Sequence, residues 1–250
     1  MFALSAVLIL LPPGQPLRSL VPFGSSSGPR AAILDQLDLT YPNTEFVQAA
    51  TTMFERAGYE VDYYRGAEVT VELYRNLPEK DYDFVLLRVH SGLVAEVDQS
   101  TGTETLTDYV SLFTGEPFSK IKYVEEVEAG PLGVASSYEG GPEYFGIGPT
   151  FIESRMKGRF DDTTVVLMGC DGLRAERTAR AFLDRGAQTF VSWDKPVSAT
   201  HTDAATERLL QHLVVENLSV PEAVERTMDE VGPDPTFDSK LLFYPLEDQP

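Results

Sequence analysis

Two short stretches hold residue types that could break bonds together. Val165-Val166-Leu167-Met168 runs into Gly169-Cys170-Asp171-Gly172, and Phe84-Val85-Leu86-Leu87 runs through Arg88 and Val89 to His90-Ser91-Gly92. Cys170 is the single cysteine of the chain. A thiol attacks as its thiolate, and its ordinary pKa is ~8.5, so a nearby base that accepts the proton makes it a far better nucleophile. Imidazole suits that task because its pKa lies near neutrality. Gly169, Gly172, Ser91 and Gly92 are small neighbours. They let a substrate backbone approach and leave amide N–H groups free for a developing oxyanion.

Both candidates stand where an apolar run ends, and the surrounding pattern says what those runs are. Arg30–Leu37 reads as a buried strand. A helix follows, capped by Asn43 or Thr44, with Phe46, Ala50, Met53 and Phe54 at helical spacing and Gly58 ending it. Tyr59–Tyr64 alternates as a strand, and 70–81 reads as a helix stopped at Pro78. Past the Cys170 strand come a helix over 174–186, a strand over 187–193 and helices over 203–217 and 219–232, then a last strand over 240–246. Strands alternating with helices predict a mostly parallel sheet with helices on both faces, reactive groups gathering beyond the carboxyl ends of its strands.

The pattern breaks between the two strands. Residues 93–116 and 120–136 read as hairpin strands with Thr-Gly and Gly-Pro turns, Glu125, Glu126 and Glu128 forming a solvated strand face. Gly140–Pro149 reads as an ordinary loop, and a short helix starts at Pro149. The stretch 93–160 is therefore a β-rich insert, expected to act as a lid or an exosite beside the cleft. Residues 1–29 form an apolar segment and a Pro/Gly/Ser-rich linker ahead of a single α/β domain over 30–250. The leading apolar run is about ten residues, too short to cross ~30 Å of hydrocarbon. A signal, an anchor or a packed strand all remain open for it, and so does the compartment, cytoplasmic or exported. Any membrane association would go through this segment.

The remaining composition narrows the function classes. Lys and Arg total 20 against 39 Asp and Glu, a net charge of −19, which repels nucleic acid and anionic lipid. One cysteine leaves no intramolecular disulfide and no cysteine-cluster zinc site. There is no HExxH and no GxxxxGK[ST], so neither that class of zinc peptidase nor a phosphate loop is encoded. His201 stands at a helix start beside the potential caps Thr200 and Thr202, an exposed position, and His212 falls within a helix with no chemistry assigned.

At the sequences ending in His90-Ser91-Gly92 and Gly169-Cys170-Asp171-Gly172, the chain resembles the caspase-like cysteine peptidases, closest to the CHAT, gingipain and clostripain types. The run Glu176–Trp193 also resembles the helix and strand that follow the cysteine in those domains. The match covers 31–228 and is poor between 93 and 160. The signature Q-A-C-[RQG]-G is met only at Cys170 and Gly172. The resemblance implies a caspase-like three-layer sandwich and a cysteine endopeptidase acting on polypeptides without metal or organic cofactor. Cys170 would be the nucleophile and His90 the general base and acid. The oxyanion hole would comprise the amides of Cys170 and of Ser91 or Gly92, because the family's glycine directly after histidine is replaced here by Ser91. Asp171 and Asp194 would be substrate-binding acids, favouring cleavage after a basic residue. Two other readings stand beside it: a catalytically inactive caspase-like interaction module, and an unrelated flavodoxin-like binding domain.

Overall fold

The structure, a computed structural model, describes residues 28–97 and 103–245. The leading apolar segment lies outside the described residues. Strand β1 (Arg30–Asp35) leads through a 3-10 turn into helix α1 (Thr44–Arg56). Asn43 Oδ1 accepts the Phe46 amide at 3.1 Å, which caps the helix, and Phe46, Val47, Ala50 and Phe54 bury its inner face. Then come β2 (Glu60–Arg65), α2 (Val71–Asn76) and β3 (Phe84–Arg88). Pro78 begins a 3-10 turn, Leu77–Lys80, because proline cannot donate within an α-helix but fits a first turn.

β4 (Ser91–Val97) and β5 (Glu104–Pro117) form the expected antiparallel pair. Residues 124–128 do not form a strand: they are the short helix α3 (Val124–Glu128). Glu126 on it accepts both terminal nitrogens of Arg75, an anchor that a solvated strand face would lack. β6 (Leu132–Ala135) follows, and the Gly/Pro-rich run expected to be a loop contains β7 (Tyr144–Ile147). Gly146 is required there, since a Cβ would stand 2.6 Å from Ser111 Oγ on β5. The remaining elements are α4 (Pro149–Arg155), β8 (Thr163–Leu167), α5 (Arg177–Asp184), β9 (Ala187–Trp193), α6 (Ala199–Leu210), α7 (Val220–Val231) and β10 (Leu241–Tyr244).

Six strands form one sheet in the order β10-β9-β8-β3-β1-β2, parallel except for β10. Side chains alternate across it and build two cores. Val85, Leu87, Val165 and Leu167 face α2, α4 and α5, whereas Phe84, Leu86, Val166 and Met168 face α1, α6 and α7. The result is a mixed α/β fold of three layers, as the alternation predicts.

β4, β5, β7 and β6 make a second, four-stranded sheet. Its Val110, Leu112, Phe145 and Ile147 are fully buried in the first of those cores. Swinging the insert away as a lid would expose all four, a cost on the order of 10 kcal/mol. The described part of the 93–160 insert is packed onto that core through these side chains. Among the described residues, no helix is long and apolar enough to cross a membrane.

Candidate functional site

β3 and β8 are adjacent parallel strands, and Leu87 pairs with Leu167. Three residues on from each lie His90 and Cys170. The register continues past the regular ladder. Met168 N donates to Leu87 O at 2.9 Å, and Ser91 Oγ donates to Cys170 O at 2.7 Å. Gly169 makes that approach feasible, because a Cβ on it would stand 2.2 Å from Ser91 Oγ and 2.5 Å from Val89 O. Parallel neighbours lie about 4.8 Å apart, and equivalent positions share a face. His90 and Cys170 thus both lie just past the carboxyl ends of adjacent strands.

Both line a cavity of about 970 Å³, as do Ser91 and Gly92. Its floor includes Tyr109, Ser111 and Phe113 of β5, which alternate with the fully buried Val110 and Leu112. Gly133 and Ala135 of β6 and Gly148 after β7 keep that floor low. Tyr41 and Tyr138 form exposed aromatic rims.

The imidazole is held from behind. Its Nε2 lies 3.0 Å from Thr40 Oγ1, and the His90 amide donates to Gln36 Oε1 at 2.9 Å. The segment carrying Gln36 and Thr40 is anchored in turn by Arg88, a fully buried guanidinium. Arg88 donates to Asp35 at 2.7 Å, to both oxygens of Asp203 at 2.8 Å and to the Tyr41 carbonyl at 2.8 Å. Burial pushes the His90 imidazole below the ordinary histidine range, and the Arg88 charge adds to that. Burial also pushes the Asp35 carboxyl up, although Arg88 opposes it.

The sulfur is cradled by a different element. Val197 N donates to Cys170 Sγ at 3.4 Å, and the thiol reaches Val197 O at 3.6 Å. Burial pushes the thiol above its ordinary value, partly offset by the Val197 amide; the charges of Asp171 and Asp234 raise it further. Both partners are therefore neutral near pH 7.

The two oxyanion candidates after His90 differ in availability. Phe113 N donates to His90 O at 2.9 Å, and both polar groups of Val110 bond Thr178 Oγ1 on α5. Antiparallel alternation then makes Gly92 and Ser111 the next hydrogen-bonded pair. The Gly92 amide is committed to the sheet, whereas the Ser91 amide points away from β5.

Asp171 and Asp194 are not among the residues that line this cavity. Asp171 is buried with left-handed backbone, φ 61°, and its carboxylate meets Arg174 at 3.3 Å. Asp194 Oδ1 accepts the Lys240 amide at 2.8 Å and so staples β9 to the start of β10. His201 does lie in the first turn of α6, but the N-cap position is Ser198 and not Thr200 or Thr202, and the ring is half-buried instead of exposed. The His201 ring tilts against Trp193 with Nε2 3.2 Å from Gly232 O. His212 is buried, with Nδ1 3.1 Å from Glu216.

Sequence reasoning missed three contributors. Thr40 and Val197 carry no motif, since each acts through one hydroxyl or backbone pair. Arg177 also lines the cavity; its signal was its place at the first position of α5, where a cation opposes the helix dipole. Among the described residues, no cluster of His, Cys, Asp and Glu could hold a metal ion. A scan against family models and a search of curated proteins returned no match to the chain.

Proposed function

We propose that this chain is a cysteine endopeptidase of caspase-like architecture, with Cys170 as nucleophile and His90 as general base and acid. One observation carries the reading: adjacent parallel strands end at the single thiol and an imidazole, and both line one open cavity. The thiol adds to a peptide carbonyl as its proton passes to the imidazole. The amides of Cys170 and Ser91 take the oxyanion. Collapse breaks the C–N bond, the leaving amine takes the proton from the imidazolium, and water then hydrolyses the thioester, again deprotonated by His90. Thr40 bonds Nε2, which leaves Nδ1 as the nitrogen that serves the thiol. Among the described residues no carboxylate lines the cavity, so the preference for a basic residue loses its support.

The inactive interaction module stays as the second reading. It is favoured by a thiol whose hydrogen bonds go to Val197 while the imidazole bonds Thr40, both neutral. A fluorogenic peptide library incubated with wild type, Cys170→Ala and His90→Ala decides. Cleavage by wild type, lost in both variants, supports the peptidase. Binding of peptides without turnover by any form leaves the module.

A further inference from the structure

The chain carries 39 acidic residues, yet among the described residues none lines the cavity of His90 and Cys170, and Arg177 is the only Lys or Arg side chain among them there. That placement is built. Thr178, fully buried, donates to Val110 O at 2.7 Å and accepts Val110 N at 3.1 Å, which stitches the first turn of α5 onto β5. Arg177, one residue earlier, is thereby held with its guanidinium 5.5 Å from the centre of the Tyr109 ring on the cavity floor. Among the described residues its ion-pair partner is Asp108, 3.5 Å away on a side chain 78% exposed. Such a pair contributes little, because water screens it. A guanidinium stacked on an aromatic ring and loosely neutralised is prepared to exchange a weak carboxylate for a better-enclosed one.

We propose that Arg177 and Tyr109 form a carboxylate-recognising subsite, so that the polypeptide taken by this cavity carries an Asp or Glu side chain at the position reaching α5. This subsite rests on the reading of the cavity as a polypeptide cleft. It does not depend on bond cleavage. The surrounding negative charge slows the approach of an acidic chain, so selection comes from the local pairing and not from long-range steering. Ser111, Gly133 and Gly148 give the bound backbone room over the floor.

The test uses full-length Cys170→Ala protein and capped hexapeptide pools on a neutral Ala/Ser background. Each pool carries Glu, Gln or Lys at one scanned position, and binding is read by fluorescence anisotropy. At one position the Glu pool binds about tenfold tighter than the Gln pool, with the Lys pool weakest. Adding Arg177→Gln removes the Glu preference, whereas adding Asp108→Asn increases it; thermal melts of both check the fold. Equal binding of Glu and Gln pools at every position, a preference surviving Arg177→Gln, or no binding of any pool overturns the subsite. Acid-selective binding by a protein whose wild type cleaves nothing would sink the peptidase reading alone. Turnover indifferent to acidic residues would sink the subsite alone.

Discussion

Thr40 Oγ1 lies 3.0 Å from Nε2 of His90, and the carbonyl of the next residue, Tyr41, accepts from the buried Arg88 two residues before that histidine. The imidazole is thus oriented by a hydroxyl that its own strand holds in place. A base oriented by a third group is the recurring arrangement of activated nucleophiles.

Thr40 is exposed, so losing its hydroxyl costs stability no more than about 0.5 kcal/mol. Thr40→Val should lower kcat for a cleaved peptide about tenfold through misorientation of the base, with KM and Tm unchanged. Thr40→Ser should restore it. Equal kcat in all three proteins would remove Thr40 from the mechanism.

Arg88→Met leaves Asp35 and Asp203 buried without their cation. Breaking one side of a buried ion network costs about 3–5 kcal/mol, which urea denaturation would read. Adding Asp35→Asn and Asp203→Asn should recover part of that loss. A single variant as stable as wild type would mean that the network contributes nothing.

The shifts at His90 and Cys170 have opposite signs and different pH consequences. His90 is held below the ordinary range, so the acid limb of kcat/KM should fall below about pH 6.5. Cys170 is held above its ordinary value, so iodoacetamide labelling of the free protein should rise only in the alkaline range. The folded thiol keeps its proton to higher pH than the unfolded one. Its contribution therefore becomes destabilising once pH climbs past the unfolded value. Full labelling already at pH 6 would contradict the neutral pair.

Asp234 accepts the Ser198 amide and hydroxyl through Oδ2 and the Thr236 and Phe237 amides through Oδ1. Burial raises its pKa, but these bonds outweigh that and hold it at about 2. A depressed carboxyl stabilises the fold above its unfolded pKa of about 4, and that contribution is lost as pH falls through about 2. Asp234→Asn should cost about 2 kcal/mol at neutral pH and flatten the acid limb of stability. Because Ser198 adjoins the Val197 cradle and the Asp234 charge raises the thiol, labelling of Cys170 should shift to lower pH in this variant. An unmoved labelling profile would uncouple Asp234 from the sulfur.

The sequence by itself determined the alternation of strands and helices and the two strand ends that carry His90 and Cys170. Those features are local: an apolar run of strand length, a cap such as Asn43 and a terminator such as Gly58 act within a few residues. Only the tertiary structure decided that β3 lies beside β8 with Leu87 opposite Leu167, since neighbour and register are chosen by contacts between residues far apart in the chain. The same holds for β7, hidden by its glycines, and for 124–128, whose helix is anchored through Arg75. It holds for Asp171 and Asp194, which packing spends on local partners, and for Arg177, which α5 delivers to the cavity only because Thr178 bonds Val110. Residue type shows what a side chain can do; the long-range pairing of strands decides what it meets.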